Sequence, residues 1–514
     1  VVIILVIAIP GGAFFLGSAI QTETEAAFAK ANTYLSPQVG ELSLPVYNKG
    51  LMSSEVISQI SLNNDEEEDL SLALNHEIYH GPVAFTPDGV KVGYAYVITT
   101  LNRDVLPEEL VAGMGDVYGE TEPFKITSLV DYAGGQKIDI NIAGVDHKDG
   151  TLTFRFDGGS GSFKANSNGI TSGNMELTPL SLRNDSKEDS EDFIVRIKGS
   201  SLSIGSTGGS TMEMEGVVGG IEWRFANEDD GNPFTISLGE LTLLSSQTAI
   251  SEGSSLMTGT SSASVPSLKF RFGEDFDLSI NDLAVETTST SNGGMLTAEV
   301  VYSAGGITSG MEIPAEFSLY SDMAKEGAEV NLHATLPVSI AEDFAKIQQQ
   351  AQMAGFSQPE GDMPPEVEKE LADAMENAVK GITKGTNIGL GVRLGGGETE
   401  TSVAADFSYM GSKPMVEQKT ILELIKSLEA TAKVNLPGAI VESNPMIMEQ
   451  LMPLVATGAI VQNGSSFAMD AKLKEGTLET NGQVNPILDQ MGPMLMGEIS
   501  WEEMFQGMRE GVTQ

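Results

Sequence analysis

Alternation of apolar and polar residues dominates the chain from about Leu42 to Leu336. A period of two residues is typical of strands that bury one face, as antiparallel strands commonly do. Glycine-containing turn signals recur between the alternating runs. The pattern therefore predicts large antiparallel sheets built as meanders of consecutive hairpins. Representative strands are Lys137–Ile142, Thr151–Phe156 and Asp277–Ile280, and representative turns are Asp157-Gly158-Gly159 and Asn292-Gly293-Gly294.

Helical spacing replaces the strand pattern after about Ile340. One helix is predicted to follow Met363-Pro364-Pro365, because proline is tolerated in the first turn and apolar residues then recur every four positions. A second helix is predicted over Lys419–Thr431, where Ile421, Leu424 and Leu428 share one face. The predicted fold class is mainly β with α (α+β), with large antiparallel meandering sheets and amphipathic helices in the C-terminal half.

A methionine-rich set of residues marks the last seventy positions of the chain. Met side chains adapt to irregular partners, and the first expectation is that the helices carrying this set cover a sheet face. The alternative is an apolar contact surface for lipid or a protein partner. The residues are Met446, Met448, Met452, Met494, Met496, Trp501 and Phe505.

The segment Val1–Ile20 carries no charge and is about as long as a helix that crosses a membrane. It predicts an N-terminal transmembrane helix that anchors the protein. Gly17-Ser18-Ala19 is a small-x-small triplet, so a cleaved signal segment is the alternative. The predicted organisation is an anchor at 1–20, a stalk helix at 21–40, a β-rich region at 41–336, and an α+β region at 337–514. The last region has amphipathic helices and a closing pair of strands.

Charge and composition exclude several classes of function. The chain has 72 acidic and 29 basic residues, giving a net charge of −43, which would repel both the phosphates of nucleic acids and anionic lipid headgroups. It has no cysteine, so thiol nucleophiles and cysteine-ligated metals are absent. It also lacks a P-loop and a G-x-S-x-G nucleophile motif. We expect no nucleic-acid partner and no cofactor.

One motif suggests catalysis. His76-Glu77-Ile78-Tyr79-His80 spells HExxH, in which two histidines on one helix face bind zinc and the glutamate is the general base. The preceding residues, however, alternate with a strand period, and Gly81-Pro82 would end a helix at once. On a strand the two histidines would lie about 13 Å apart, too far to share one metal. We therefore expect no metal site and no metallopeptidase activity.

Four sequence elements, taken in order, resemble the YdgA-like family of bacterial proteins, a domain of unknown function. The first is the apolar N-terminus with its polar helix, Gln21–Ala27. Tyr47-Asn48-Lys49-Gly50-Leu51-Met52-Ser53-Ser54 is similar to the family's Tyr-x-Arg-Gly-Leu-Phe-Ser-Ser element, with Lys49 and Met52 as mild departures. His80-Gly81-Pro82 is similar to its His-Gly-Pro element. The closing Gly-x-Leu-x-x-Asn-Gly element corresponds to Gly476–Gly482, including Asn481.

The resemblance implies an inner-membrane protein whose body faces the periplasm, and it implies no reaction. The leading hypothesis is a non-catalytic envelope protein that acts as a scaffold or contacts an envelope protein. The alternative is a carrier or binder of lipid or another hydrophobic ligand, and the minor alternative is an HExxH metallohydrolase. The sequence leaves a homo-oligomer open.

Overall fold

The computed structural model describes most of the chain from residue 40 onwards. The described residues are 40–49, 53–62, 70–80, 82–106, 108–166, 169–184, 192–207, 211–225, 234–251, 256–273, 276–310, 318–343, 345, 365–443 and 445–512. They form two compact units, which divide between Phe234 and Thr235. The predicted anchor at 1–20 and nearly all of the stalk at 21–40 lie outside the described residues.

In its described residues, unit 1 consists of strands, a short 3-10 helix (Arg103–Val105) and one α-helix, α1 (Glu108–Tyr118). Its first nine strands are β1 (Gly40–Lys49), β2 (Ser53–Leu62), β3 (Leu70–His80), β4 (Val83–Thr86), β5 (Gly89–Val92), β6 (Ala95–Leu101), β7 (Phe124–Val130), β8 (Gln136–Ile142) and β9 (Val145–Asp149). The next eight are β10 (Leu152–Phe156), β11 (Gly159–Asn166), β12 (Gly169–Leu177), β13 (Leu180–Asn184), β14 (Phe193–Ile197), β15 (Ser200–Thr207), β16 (Thr211–Val218) and β17 (Ile221–Phe225).

Two antiparallel ladders organise unit 1. The first runs β1-β2-β3-β6-β7-β8-β11-β12-β15-β16. The second runs β9-β10-β13-β14-β17. From β8 onwards the chain forms long hairpins that take part in both ladders. A two-residue step within each arm of a hairpin divides the arm into two strands, and each of these strands belongs to a different ladder.

Glycine is required at the step between β10 and β11. Gly158, between β10 and β11, has φ +101°, and a Cβ there would lie 2.7 Å from the carbonyl oxygen of Ile142. Side chains rarely adopt this backbone conformation and could not fit so close to a neighbouring strand. Asp157-Gly158-Gly159 therefore separates two strands, as its turn signal predicts, but these strands belong to different ladders and do not form a hairpin. Asn292-Gly293-Gly294 is a hairpin turn as predicted, because Asn292 pairs with Met295 across it.

Two buried clusters of unit 1 lie on one face of the first ladder. Val56, Ile78 and Val97 are buried together on β2, β3 and β6. Ile126, Ile138 and Phe163 form the adjacent cluster on β7, β8 and β11. Because alternate residues of a strand point to one face, these clusters follow directly from the apolar positions of the period-two pattern.

Unit 2 begins with the strands that follow unit 1. They are β18 (Phe234–Leu238), β19 (Leu241–Ala249), β20 (Met257–Phe272), β21 (Phe276–Asn292), β22 (Met295–Ala304), β23 (Gly306–Ser309), β24 (Ala328–Pro337), β25 (Asn387–Leu394), β26 (Thr401–Tyr409), β27 (Leu428–Pro437), β28 (Val461–Asn463), β29 (Ser466–Lys474), β30 (Thr477–Thr480) and β31 (Gln483–Val484). Its main ladder is antiparallel and runs β19-β20-β21-β22-β24-β25-β26-β27-β29-β30-β31.

Short helices connect the later strands of unit 2. They are α2 (Ser318–Lys325), α3 (Pro365–Gly381), α4 (Ile421–Lys426), α5 (Gly438–Ser443), α6 (Pro445–Ala456), α7 (Ile487–Gln490), α8 (Gly492–Leu495) and α9 (Trp501–Val512). The helix after Met363-Pro364-Pro365 is confirmed as α3. The predicted helix over Lys419–Thr431 is too long, because α4 ends at Lys426 and β27 begins at Leu428. Pairing of β27 with β26 and β29 overrides the local helical spacing.

The chain is therefore mostly β, with a few helices attached to large antiparallel sheets. Among the described residues, none of the helices combines the length and apolar character needed to cross a membrane. The four-region organisation predicted from sequence, with its boundary at 336, stays a prediction.

Candidate functional site

The HExxH residues lie on strand β3, as the alternation predicts. His76 pairs in register with Thr99, and Glu77 pairs with Ile98, so the two side chains point to opposite faces of the sheet. His76 and His80 share one face but are four strand residues apart, which is about 13 Å. This geometry separates all three side chains that a zinc peptidase would bring together.

His76 is held in a buried hydrogen-bond network across three strands. Its Nε2 lies 2.7 Å from Ser58 Oγ on β2, and its Nδ1 lies 2.9 Å from Thr99 Oγ1 on β6. Burial lowers the pKa of His76 to about 4, so the ring is neutral at pH 7. A neutral imidazole between two hydroxyls satisfies every buried polar atom of the network, which makes His76 a structural residue.

Glu77 faces the other side of β3 and accepts a hydrogen bond from Tyr79 at 2.7 Å. Burial, together with this hydrogen bond, raises the pKa of Tyr79 to about 12. Glu77 is thus engaged with a neighbouring phenol, away from both histidines. Within the described residues, no group of three or more His, Asp or Glu side chains is placed to hold a metal ion.

The motif that ends in Ser53-Ser54 and the motif that begins at His80 contact each other between β2 and β3. His80 Nε2 lies 2.8 Å from Ser54 Oγ, so a serine of the first motif pairs with the histidine of the second. A serine hydroxyl next to an imidazole is the arrangement of a nucleophile and its base. However, Ser54 is only 3% exposed, so a substrate has no access to its hydroxyl. The pairing was not predicted from the sequence, although the period of β3 places His76 and His80 on one face.

The exposed surface of unit 2 contains a continuous apolar region, which we call the open apolar face. Its residues are in register across β22, β24, β25 and β26, so their side chains all lie on one side of the sheet. Each is between 38% and 56% exposed, so these side chains are far from buried. The residues are Tyr302, Leu332, Ile388, Leu390, Val392, Leu394, Val403 and Phe407.

The opposite face of the same strands is polar. His333 Nε2 lies 2.8 Å from Asp406, and Arg393 contacts Glu329 at 3.1 Å. Asn331 donates to Glu299 at 2.7 Å. A sheet with one polar face normally buries its other face. The open apolar face is therefore the side of this sheet that we expect to be buried, by another part of the protein or by a bound molecule.

Among the described residues, helical segments cover two ends of the apolar side. At the first, Val338 and Ala341, in the helical segment after β24, pack with Leu296 of β22. At the second, α5 and α6 cover β27 and β29. Val441 of α5 and Leu451 of α6 pack with Phe467 of β29, and Leu436 and Met469 join this cluster. The side chains of the open apolar face, on β22 and β24–β26, remain 38% to 56% exposed. The described helical segments thus cover these two ends and leave the open apolar face in contact with solvent.

The methionine-rich set is divided in the structure. Met446, Met452, Met494 and Met496 are more than half exposed. Met448, in contrast, packs on the cluster around Val441. The indole of Trp501 donates to the carbonyl oxygen of Gln418 at 2.9 Å, and Phe505 is buried. The role of these residues as a contact surface stays a prediction.

A profile of the family described as "Bacterial protein of unknown function (DUF945)" matches residues 1–487. The chain belongs to this family. Among curated proteins, it is similar to Protein YdgA of Escherichia coli (strain K12), with 24% identity over 178 residues. The alignment covers 33% of this chain and 35% of YdgA, so it spans about a third of that relative's length. No solved structure matches the chain significantly. The resemblance to the YdgA-like family is confirmed.

Several residues of the sequence elements that resemble the YdgA-like family can be placed in the fold. Tyr47 and Lys49 lie on β1, paired with Val56 and Ser54 of β2. Ser53 and Ser54 begin β2 and His80 ends β3, so the two motifs flank one hairpin. The carbonyl oxygen of Pro82 accepts a hydrogen bond from Tyr132 at 2.6 Å. Gly50 and Gly81 lie outside the described residues.

Asn481 has a defined structural role in the last motif. Its backbone has φ +51°, a conformation that asparagine tolerates better than most residues. Its side chain donates to the carbonyl oxygens of Gly458 and Ala459 at 2.9 and 3.0 Å, and accepts from the backbone N–H of Asp470. Asn481 and Gly482 form the turn between β30 and β31. This motif residue fixes the loop after α6 to the end of the sheet.

Proposed function

We propose that this DUF945 protein is a non-catalytic carrier or binder of a hydrophobic ligand in the bacterial envelope, and that the open apolar face holds the hydrocarbon part of a lipid. The observation that supports this proposal is the exposure of a continuous apolar sheet face whose opposite side is polar. Contiguous apolar surface of this kind marks binding sites on soluble domains. It promotes the carrier hypothesis over the scaffold hypothesis.

The dimensions of the face suit an acyl chain. Ile388, Leu390, Val392 and Leu394 form a row along β25 that is about 20 Å long at 3.3 Å per residue. One leaflet of a bilayer has a hydrocarbon depth of about 15 Å. Neighbouring side chains from β24 and β26 flank this row, so an extended chain lying along it would have apolar contacts on the side that faces the sheet.

The chemistry of the face favours a hydrocarbon over a protein surface. Of its eight side chains, only Tyr302 carries a polar atom, and the backbone groups of the central strands are used in the ladder. A protein partner typically makes one hydrogen bond per 100–200 Å² of interface. A hydrocarbon chain needs no such partners, because its burial is driven by the hydrophobic effect alone.

The setting is part of the proposal. We propose that the apolar segment Val1–Ile20 attaches the protein to the inner membrane, with its body on the periplasmic side, as the resemblance to the YdgA-like family implies. The same position would suit a scaffold that contacts an envelope protein, which was the leading hypothesis from the sequence. An attached carrier would have direct access to phospholipid.

The test is solvent extraction and mass spectrometry of the chain purified from bacteria. We expect near-stoichiometric lipid in the parent protein, and loss of most of it in Leu390→Asp and Phe407→Asp, because a carboxylate makes the face unfavourable for hydrocarbon. Phe272→Asp is the matched control, since Phe272 is 42% exposed on β20, outside the face. A parent protein without any apolar molecule, or equal lipid in all variants, would contradict the proposal. Co-purification of a protein partner instead would favour a scaffold.

A further inference from the structure

The hairpin β4–β5 in unit 1 presents a second apolar surface. Val83 pairs with Val92 and Phe85 pairs with Val90, so these four side chains share one face of the hairpin. They are 41%, 62%, 70% and 59% exposed, respectively. The other face is the packed one, because Ala84 is buried against Tyr96 and Ile98 of β6. The hairpin thus lies on the sheet with its apolar residues directed outwards.

A cavity of about 350 Å³ lies beside this hairpin, and three lysines from three different strands line it. Lys91 of β5 lies over the ring of Tyr96, 5.0 Å from its centroid. Lys125 of β7 contacts Asp88 at 2.7 Å, and Lys137 of β8 contacts Asp139 at 2.8 Å. Three ammonium groups face two carboxylates in the lining. The cavity is therefore locally cationic.

This local sign differs from that of the whole chain, whose net charge is −43. At physiological ionic strength charges are screened over about 8 Å, so an anion at the cavity responds mainly to the lysines around it. Outside the lining, Lys164 of β11 pairs in register with Lys137 on the same side of the sheet, and Glu77 of β3 lies on that side as well. The cavity is consequently complementary to an anionic group although the protein is acidic.

From this juxtaposition we propose that the hairpin and the lysine cavity bind the surface of a phospholipid bilayer. The apolar face of the hairpin would enter the boundary of the hydrocarbon region, and the lysines would contact lipid phosphates. Phospholipids present anionic groups and hydrocarbon side by side, as this surface requires. A site for inorganic phosphate alone would leave the exposed valines and Phe85 without a role. The proposal concerns unit 1 and is independent of ligand binding by unit 2.

The absence of cysteine permits a test with a single spin label. Phe85→Cys in the full chain, labelled with a nitroxide and reconstituted into vesicles of phosphatidylethanolamine and phosphatidylglycerol, reports accessibility to oxygen and to a water-soluble nickel complex. We expect the label to gain oxygen accessibility and lose nickel accessibility in these vesicles. Phe272→Cys is the control and should remain accessible to nickel. Because the label is local, insertion of the N-terminal segment does not affect the comparison.

The lysines are tested in the same assay. Lys91→Gln with Lys137→Gln should return the label at position 85 to water, whereas Lys148→Gln with Lys269→Gln should not. A label that stays in water with every vesicle would overturn the proposal. A label that loses nickel accessibility with a soluble protein fraction but not with vesicles would also overturn the proposal. That result would indicate a protein partner. Binding of inorganic phosphate at the lysines, in a protein whose label never contacts the bilayer, would likewise overturn the proposal. It would indicate a site for small anions only.

Discussion

His76 makes the stability of the protein depend on pH. Its pKa is about 4 in the folded chain and about 6.5 when unfolded, so the unfolded state binds the proton first as pH falls. The contribution of His76 to the free energy of unfolding is complete above pH 6.5 and decreases as the pH falls from 6.5 to 4. It decreases no further below pH 4. We expect this residue to account for a loss of about 3 kcal/mol in the free energy of unfolding between pH 7 and pH 4.

Urea denaturation at a series of pH values measures this effect. His76→Gln should unfold more easily at pH 7, because the Ser58 and Thr99 hydroxyls lose the imidazole to which they are hydrogen-bonded. The stability of the variant should fall less than that of the parent between pH 6.5 and 4. Carboxylates titrate at the lower end of the same range, so the comparison is between the two slopes. Identical slopes for the parent and the variant would show that His76 does not carry the dependence.

Gly389 on β25 provides a second residue-scale prediction. A Cβ at this position would collide with the ring of His333 and lie 2.5 Å from Oδ1 of Asp406. Gly389→Ala should therefore separate this pair and reduce the free energy of unfolding by about 1–3 kcal/mol. Gly391→Ala, two residues along the same strand, is the matched control because its nearest contact would be an ordinary 3.7 Å. A thermal denaturation midpoint equally low in both variants would refute the steric explanation.

At the level of elements, the period-two pattern predicted strands well and connections less well. Strands β8 and β10 follow directly from Lys137–Ile142 and Thr151–Phe156, because alternation is a local property. Asp157-Gly158-Gly159 and Asn292-Gly293-Gly294 look alike in sequence, yet one is a step between ladders and the other a hairpin turn. The difference depends on which distant strands pair on either side, and this information is not local. Likewise, partners of β27 shortened the helix predicted over Lys419–Thr431.

Asn481 tests how one motif residue holds elements together. Asn481→Gly keeps the positive φ but removes the side-chain hydrogen bonds to Gly458, Ala459 and Asp470, whereas Asn481→Ala also strains the backbone. We expect Asn481→Gly to lose about 1–3 kcal/mol of stability and Asn481→Ala to lose about 1 kcal/mol more. Hydrogen exchange should show faster opening of the loop after α6 in both. Slow exchange there in Asn481→Gly would mean that the side chain does not secure the loop.

At the scale of the whole molecule, composition and motifs predicted a β-rich member of the YdgA-like family. The candidate surface was less accessible from the sequence. Alternation along β25 shows that Ile388, Leu390 and Val392 share a face, but not whether another element covers it. Nor could spacing alone show that Ser54 and His80 would meet, because their contact depends on the pairing of β2 with β3. Coverage and pairing are tertiary properties.

Site-specific photo-crosslinking in living bacteria tests the central claim, hydrocarbon binding at the open apolar face. A benzophenone side chain would be placed at Leu390 on that face and, as the control, at Asp406 on the polar face of the adjacent strand. We predict that irradiation adds the mass of a lipid to the protein labelled at position 390 and not to that labelled at 406. Crosslinks to a protein at position 390, or lipid adducts at equal yield from both positions, would contradict the proposed function.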